Sequence, residues 1–375
     1  MSVVNGVGPT ENQYWDDKKI KEKEEDMKLE NVSIFYTTDK TEDRRSDFSS
    51  TFNSEAVENS SQGARFLEGL KENKEALMAE LGLSDTEYDN LSCIALALAS
   101  QETGMGNEAG YTSENEGIGK WFRDRGKDIQ NLFDSKGSAS SGLTQIKIYD
   151  FMNGNQLTDE QIDILYAHGV SAESITNDNL YSSPDKAAVA TIVALNSLAQ
   201  DYYPQYLEKL ESESKALAEK LDPEQLATRG QEALDSVMSV YENADTKTKE
   251  KIRLGLKQWM LSVNGSKDGF LVFDKTYNEE HNLSELNKML KLDKPLVQED
   301  LDYIRYTLAN EEMNKTQYCA YAWNNGVGNT GMQFDRLLSA KIGTIYTTPE
   351  IFDYDQFVYN VETIAKKYAQ QMLSE

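Results

Sequence analysis

Apolar and polar positions along the chain change character at Gly63. Residues 1–62 are polar and charged and rich in Ser, Thr and Asn; WDDKKIKEKEEDMKLE is a solvated helix at most. So little apolar surface cannot build a core, and the segment is expected to be a flexible charged arm or adaptor. From Gly63 the spacing turns helical. Phe66, Leu67, Leu70, Leu77 and Leu81 share a helical face, with a glycine stop at Gly82. Ser84 and Glu87 then form a capping box at the head of SDTEYDNLSCIALALASQE. LTDEQIDILYAHG has a helix start and a glycine end. SPDKAAVATIVALNSLAQDYY carries Pro184 in its first turn and many small apolar residues, which predicts a buried helix.

Between these helices, residues 104–142 are rich in Gly, Ser and Asn with embedded aromatics, GIGKWF and IQNLF. They predict a long ordered loop or a set of short elements, and loops of this length often carry function. Residues 205 to about 295 read as charged amphipathic helices, one of them starting at Asp222 and Pro223. Dense apolar and aromatic content returns in QEDLDYIRYTLANEEMNKTQYCAYAWNNG and in a closing helix, YDQFVYNVETIAKKYAQQML. DGFLVFDKTY is the best strand signal and a weak one. The pattern predicts a mainly α fold over 63–375, interrupted by a helical insertion at about 205–300.

Charge narrows the partners. Lys and Arg number 38 against 64 Asp and Glu, a net charge of −26. Such a chain is repelled by nucleic acid and by anionic lipid, so neither is expected as a partner. No apolar run reaches the length of a membrane span, and MSVVNGVGPTENQYWDDKK shows neither the basic nor the apolar region of a secretory signal. Two cysteines, Cys93 and Cys319, make no disulfide framework and read as buried thiols. Two histidines, His168 and His281, leave little room for a zinc site or a Ser-His-Asp triad. No metal and no cofactor is expected, and acid–base chemistry falls to carboxylates.

One carboxylate stands out. Leu91, Ile94, Leu98 and Glu102 are spaced three, four and four, so they share one stripe of a helix that Gly104 and Gly106 then end. Burial and the negative end of the helix dipole both disfavour the charged form of a glutamate placed there. A raised pKa is what a general acid needs near neutral pH. Spacing alone leaves a second reading, a helix-end glutamate turned to water.

Two further stretches bear on the choice. SASSGLTQIKIYDF places Gln145 after a Ser-Ser-Gly turn, and CAYAWNNGVGN ends a helical run at Trp323, Asn324 and Asn325. Each sets amide side chains beside a glycine that permits close backbone approach. Amides with aromatics suit a carbohydrate, which offers hydroxyls and apolar ring faces.

Together and in this order the three stretches resemble the motifs of the soluble lytic transglycosylase and goose-type lysozyme superfamily: Glu-Ser, Gly-Leu-Met-Gln and Ala-Tyr-Asn-Ala-Gly. Here they stand as Glu102-Thr103, Gly142-Leu143-Thr144-Gln145 and Ala322-Trp323-Asn324-Asn325-Gly326. The resemblance covers residues 63–204 and 300–375, with a longer interval between Glu102 and Gln145 than is usual. Thr103 keeps the hydroxyl of the family's serine. Thr144 stands for the methionine and would make a pocket wall more polar. Trp323 stands for a tyrosine close to the catalytic acid, a place that Tyr321 would fill.

The resemblance implies a lysozyme-like catalytic domain acting on peptidoglycan glycan strands, at the β-1,4 bond between N-acetylmuramic acid and N-acetylglucosamine. Glu102 would serve as acid and then base. Thr103, Ser141, Gly142, Gln145, Tyr321, Trp323 and Asn324 would contact substrate. Most glycosidases use two carboxylates; Asp124, Asp128, Asp134 and Asp150 follow Glu102, and none has a spacing that singles it out. A lone acid fits a lytic transglycosylase, which makes 1,6-anhydro ends. A hydrolytic muramidase and an inactive glycan-binding or structural protein on the same fold are the alternatives, and an acidic helical interaction protein is a third. The substrate places the site of action at the cell wall, periplasmic or extracellular. A phage virion, a specialised secretion machine or an upstream start would account for delivery, with the arm as docking element for a partner.

Overall fold

The computed structural model describes Tyr14 and residues 61–103, 144, 146, 151, 156–170, 183–245, 248, 251–252, 255, 279–310, 312–325 and 354–372. Among these residues the fold is mainly α, with no strand. The expected strand DGFLVFDKTY and the segment 104–142 lie outside the described residues.

The first predicted helical run is two helices, α1 (Ser61–Glu72) and α2 (Lys74–Leu81). Asn73 parts them at φ −93° and ψ 0°, and its side-chain amide donates to the Gly69 carbonyl at 2.8 Å. Gly82 ends α2 at φ 67°, the left-handed conformation a glycine adopts without a Cβ clash. The capping box then starts α3 (Asp85–Thr103): the Ser84 N–H and hydroxyl donate to Glu87 at 2.9 and 2.7 Å, and the Glu87 N–H donates back at 3.3 Å. A second box, Thr158 with Gln161, opens α4 (Asp159–Ala167), which Gly169 closes at φ 73°.

Pro184 opens α5 (Pro184–Asn196), which runs without a break through a π-helical turn, Ser197–Tyr202, into α6 (Tyr203–Ala218). Pro204 accounts for the turn. It has no N–H for the Gln200 carbonyl, and its ring crowds that carbonyl, so the ladder widens. At Asp222 the structure departs from the expected helix start. The Asp222 carboxylate accepts from the Glu224 N–H at 3.0 Å and the Gln225 amide at 2.9 Å, and three-residue bonds carry the chain to Thr228. An Asx turn takes the place of the first helical turn. Helix α7 (Arg229–Glu242) begins after it, followed by α8 (Glu279–Leu290), α9 (Gln298–Ala309), α10 (Lys315–Asn325) and α11 (Tyr354–Met372).

Two cores result. The main one collects α1 to α5, the start of α6, α10 and α11. A smaller one joins α7, Ile252, α8 and α9, with Leu217, Leu221 and Tyr303 forming a third cluster beside it. The residues between α6 and α9 thus carry apolar contacts of their own. Helix α6 packs on α9, where Glu213 accepts from the Arg305 guanidinium at 2.7 and 2.9 Å. Helix α11 lies along α3 and α10, and α5 along α1. Tyr14 is buried in the main core. No described helix is long and apolar enough to cross a membrane.

Candidate functional site

Helix α3 has no wet face where it matters. Every residue from Leu91 to Ser100 is buried, so the expected stripe of Leu91, Ile94 and Leu98 is part of a rod enclosed on all sides. Small residues allow this: Ala95, Ala97 and Ala99 let neighbouring helices close on faces that larger side chains would hold apart. Enclosure ends at Gln101 and Glu102, both half-buried. Glu102 therefore sits at the rim of the core, on the last described turns of its helix.

That end of α3 is fixed against α11. The Ser100 hydroxyl donates to the Leu96 carbonyl at 2.7 Å and lies 3.3 Å from the Tyr368 hydroxyl. The Gln101 side-chain Oε1 accepts from the Asn360 side-chain amide at 3.1 Å. Thr103 closes the helix; its side chain lies outside the described residues.

The second and third motifs meet directly. The Trp323 indole N–H donates to the Thr144 carbonyl at 3.1 Å, and its ring packs on Phe151 at a centroid distance of 5.7 Å. Thr144 is fully buried and its hydroxyl is 2.9 Å from that of Thr191 on α5. Because Thr191 donates onward to the Ala187 carbonyl at 2.7 Å, it accepts from Thr144. The polar pocket wall expected of Thr144 is therefore not its role: the hydroxyl faces α5 and completes a buried relay. Ile146 beside it is equally buried. Ser141, Gly142 and Gln145 lie outside the described residues, as do Asp124, Asp128, Asp134 and Asp150.

Helix α10 presents the third motif. Tyr321 and Ala322 are buried in the main core, Trp323 is half-buried, and Asn324 and Asn325 end the helix with side chains outside the described residues. Its other end is held by a feature that motif reading missed. Asn314 and Gln317 cap each other reciprocally, at 2.8 and 3.1 Å, and both side-chain amides donate to the buried carboxylate of Glu362 on α11, Gln317 at 2.8 Å. A charge this deep is tolerable because both oxygens are hydrogen-bonded next to a helix N-terminus. The signal was the stripe Val358, Glu362, Ala365, which puts Glu362 on the apolar face.

Other titratable groups are structural. Cys93 and Cys319 are free and buried, and burial pushes both thiols up to about 12, far from a reactive thiolate. His168 caps α4 and bonds to Asn73 at 3.1 Å and to Glu80 at 2.9 Å. Among the described residues no group of three or more His, Cys, Asp or Glu could hold a metal ion.

No protein-family model matches the chain, and no curated protein or solved structure matches it either.

Proposed function

We propose that the chain is a peptidoglycan lytic transglycosylase with a lysozyme-like catalytic domain, cleaving the bond between N-acetylmuramic acid and N-acetylglucosamine. The observation that carries the reading is the hydrogen bond from Trp323 to Thr144, which joins two motifs 179 residues apart in the chain. Helix α3, which carries Glu102, packs against both α10 and α11.

In this reading Glu102 gives its proton to the glycosidic oxygen as the bond to the muramyl anomeric carbon breaks. As a carboxylate it then takes the proton of the muramyl 6-hydroxyl, whose oxygen closes on the anomeric carbon to leave a 1,6-anhydro end. Gln145 and Asn324 hold substrate amides and hydroxyls. Enclosure of α3 up to Ser100 gives the acid a rigid base, as positioned acid catalysis requires. The site of action is the cell wall.

The test is mass spectrometry of purified peptidoglycan after incubation with the parent protein and with Glu102→Gln. Anhydro muropeptides from the parent and none from the variant are expected. Reducing ends would move the assignment to a hydrolytic muramidase. Intact glycan with retained binding would leave a glycan-binding protein on the same architecture, a reading favoured by one observation: Trp323, in place of the family's tyrosine, points its donor at the protein's own backbone.

A further inference from the structure

The last turn of α3 is held by two side chains of α11 that belong to none of the three motifs. Asn360 donates its side-chain amide to the Gln101 Oε1 at 3.1 Å. The Tyr368 hydroxyl lies 3.3 Å from the Ser100 hydroxyl. Ser100 gives its one hydroxyl hydrogen to the Leu96 carbonyl at 2.7 Å, so in the second bond Tyr368 donates and Ser100 accepts. Burial pushes the Tyr368 phenol up, which keeps that donor protonated. Both bonds therefore run the same way, from α11 to α3.

Asn360 and Tyr368 are eight residues apart, about 12 Å of helix rise, and share a face of α11. The residues they hold are neighbours in sequence, and neighbours on a helix point about 100° apart. Two bonds from well-separated points of one helix thus grip two directions of the other. That fixes the rotation of this turn about the α3 axis at the place where enclosure ends: Ser100 is fully buried, Gln101 and Glu102 half-buried. Glu102 is the next residue along, so the direction of its Cα–Cβ bond follows from this rotation. Asn360 and Gln101 are both half-buried, where water takes over a lost bond, so their pairing adds little to folding. What water does not replace is the fixed direction.

Resting on the reading of Glu102 as the acid, we infer that Asn360 is a positioning residue for it. Through Gln101, and with Tyr368 acting through Ser100 as a second bearing, Asn360 sets where the Glu102 carboxyl points. Loss of the bond lets the last turn of α3 rotate, and the carboxyl swings off the line to the glycosidic oxygen. Proton transfer then slows while substrate contacts from the other motifs stay.

Two measurements on the full-length chain test this. Release of anhydro ends from solubilised peptidoglycan strands gives kcat and KM for the parent, Asn360→Leu, Gln101→Leu and the double variant. Each single variant is expected to lose about tenfold in kcat with KM near that of the parent, and the double variant to lose no more, because both changes remove one bond. A KM rise at constant kcat, or losses that multiply in the double variant, overturns the inference. The second measurement is the electron paramagnetic resonance spectrum of a nitroxide label on Glu102→Cys; Cys93 and Cys319 are buried and do not compete for the label. The label is expected to be more mobile when Asn360→Leu is added, and equal mobility overturns the inference. This readout needs no activity. A parent that releases nothing removes the glycan-cleaving reading, and label mobility still decides whether Asn360 fixes residue 102. Should Asn360→Leu fail to fold by circular dichroism, Gln101→Leu removes the same bond from the α3 side and carries both readouts.

Discussion

The indole N–H of Trp323 donates to the backbone carbonyl of Thr144 at 3.1 Å, across 179 positions of the chain. Trp323 is thus a strut between α10 and the backbone at Thr144. Trp323→Phe keeps an aromatic ring against Phe151 and removes the donor. A buried carbonyl left without its partner costs about 1–3 kcal/mol. The expected outcome is a lower melting temperature together with a loss of muropeptide release larger than the stability change explains at a temperature where the variant is folded. Unchanged release by a folded Trp323→Phe would show that the strut does not position the site.

Thr144 makes a separate prediction possible, because its buried hydroxyl bonds to Thr191 on α5. Thr144→Val removes the relay to Thr191 at constant shape and is expected to cost about 0.5–1.5 kcal/mol. Thr144→Met must also fit a longer side chain into a fully buried place, and overpacking of this kind costs about 1–3 kcal/mol. Urea unfolding should therefore rank parent, valine, methionine in falling stability. The reverse order of the two variants would mean that the position opens onto a groove.

These residues also mark what the sequence could and could not tell. The helices were legible because caps and stops are local: Ser84 with Glu87, Pro184, Gly82 and Gly169 each act within one turn of chain. The π-helical turn before Pro204 was legible in principle, since a missing N–H is visible in sequence. Asp222 misled because a short carboxylate serves an Asx turn as well as an N-cap, and only the following backbone decides between them. The enclosure of α3 on all sides was not legible from a stripe of three residues, because alanine suits a buried face and an exposed one equally. The Trp323–Thr144 bond was out of reach for a plainer reason: a backbone carbonyl leaves no trace in residue identity. Glu362 carries the same stripe signal as Glu102, but no motif surrounds it.

The capping box at α3 predicts a response to acid. The hydroxyl and then the N–H of Ser84 donate to Glu87, with Gln200 adding a bond at 3.3 Å, and together they hold the carboxyl below its ordinary value. A carboxyl depressed in the folded state contributes stability that is present above its unfolded value and lost as pH falls through the folded one. Glu87→Gln keeps an acceptor for the cap but cannot titrate. The variant should be less stable than the parent at about pH 7, and the gap should narrow as pH falls below the ordinary glutamate range toward about pH 3. Urea unfolding at the two pH values checks this, and a constant gap would mean that folding does not depress the Glu87 carboxyl.

Gly69 tests the packing that sets α5, and with it Thr191, in place. A Cβ built on Gly69 would lie 2.6 Å from the Cα of Asp185 and 3.1 Å from its carbonyl oxygen. Those are backbone atoms at the first turn of α5, so no rotamer change relieves the contact and the helix itself must move. Ordinary helix propensity favours alanine over glycine by about 1 kcal/mol, so an exposed site would gain stability from the change. Here the clash outweighs the gain, and Gly69→Ala is expected to lose about 1–3 kcal/mol net. Since α5 carries Thr191, the receiver of the Thr144 hydroxyl, a shift of its first turns should also reach the second motif. Muropeptide release by Gly69→Ala is then expected to fall further than its unfolding midpoint alone accounts for. Gain of stability on this substitution would mean that α1 and α5 stand farther apart in solution than the Asp185 contact requires.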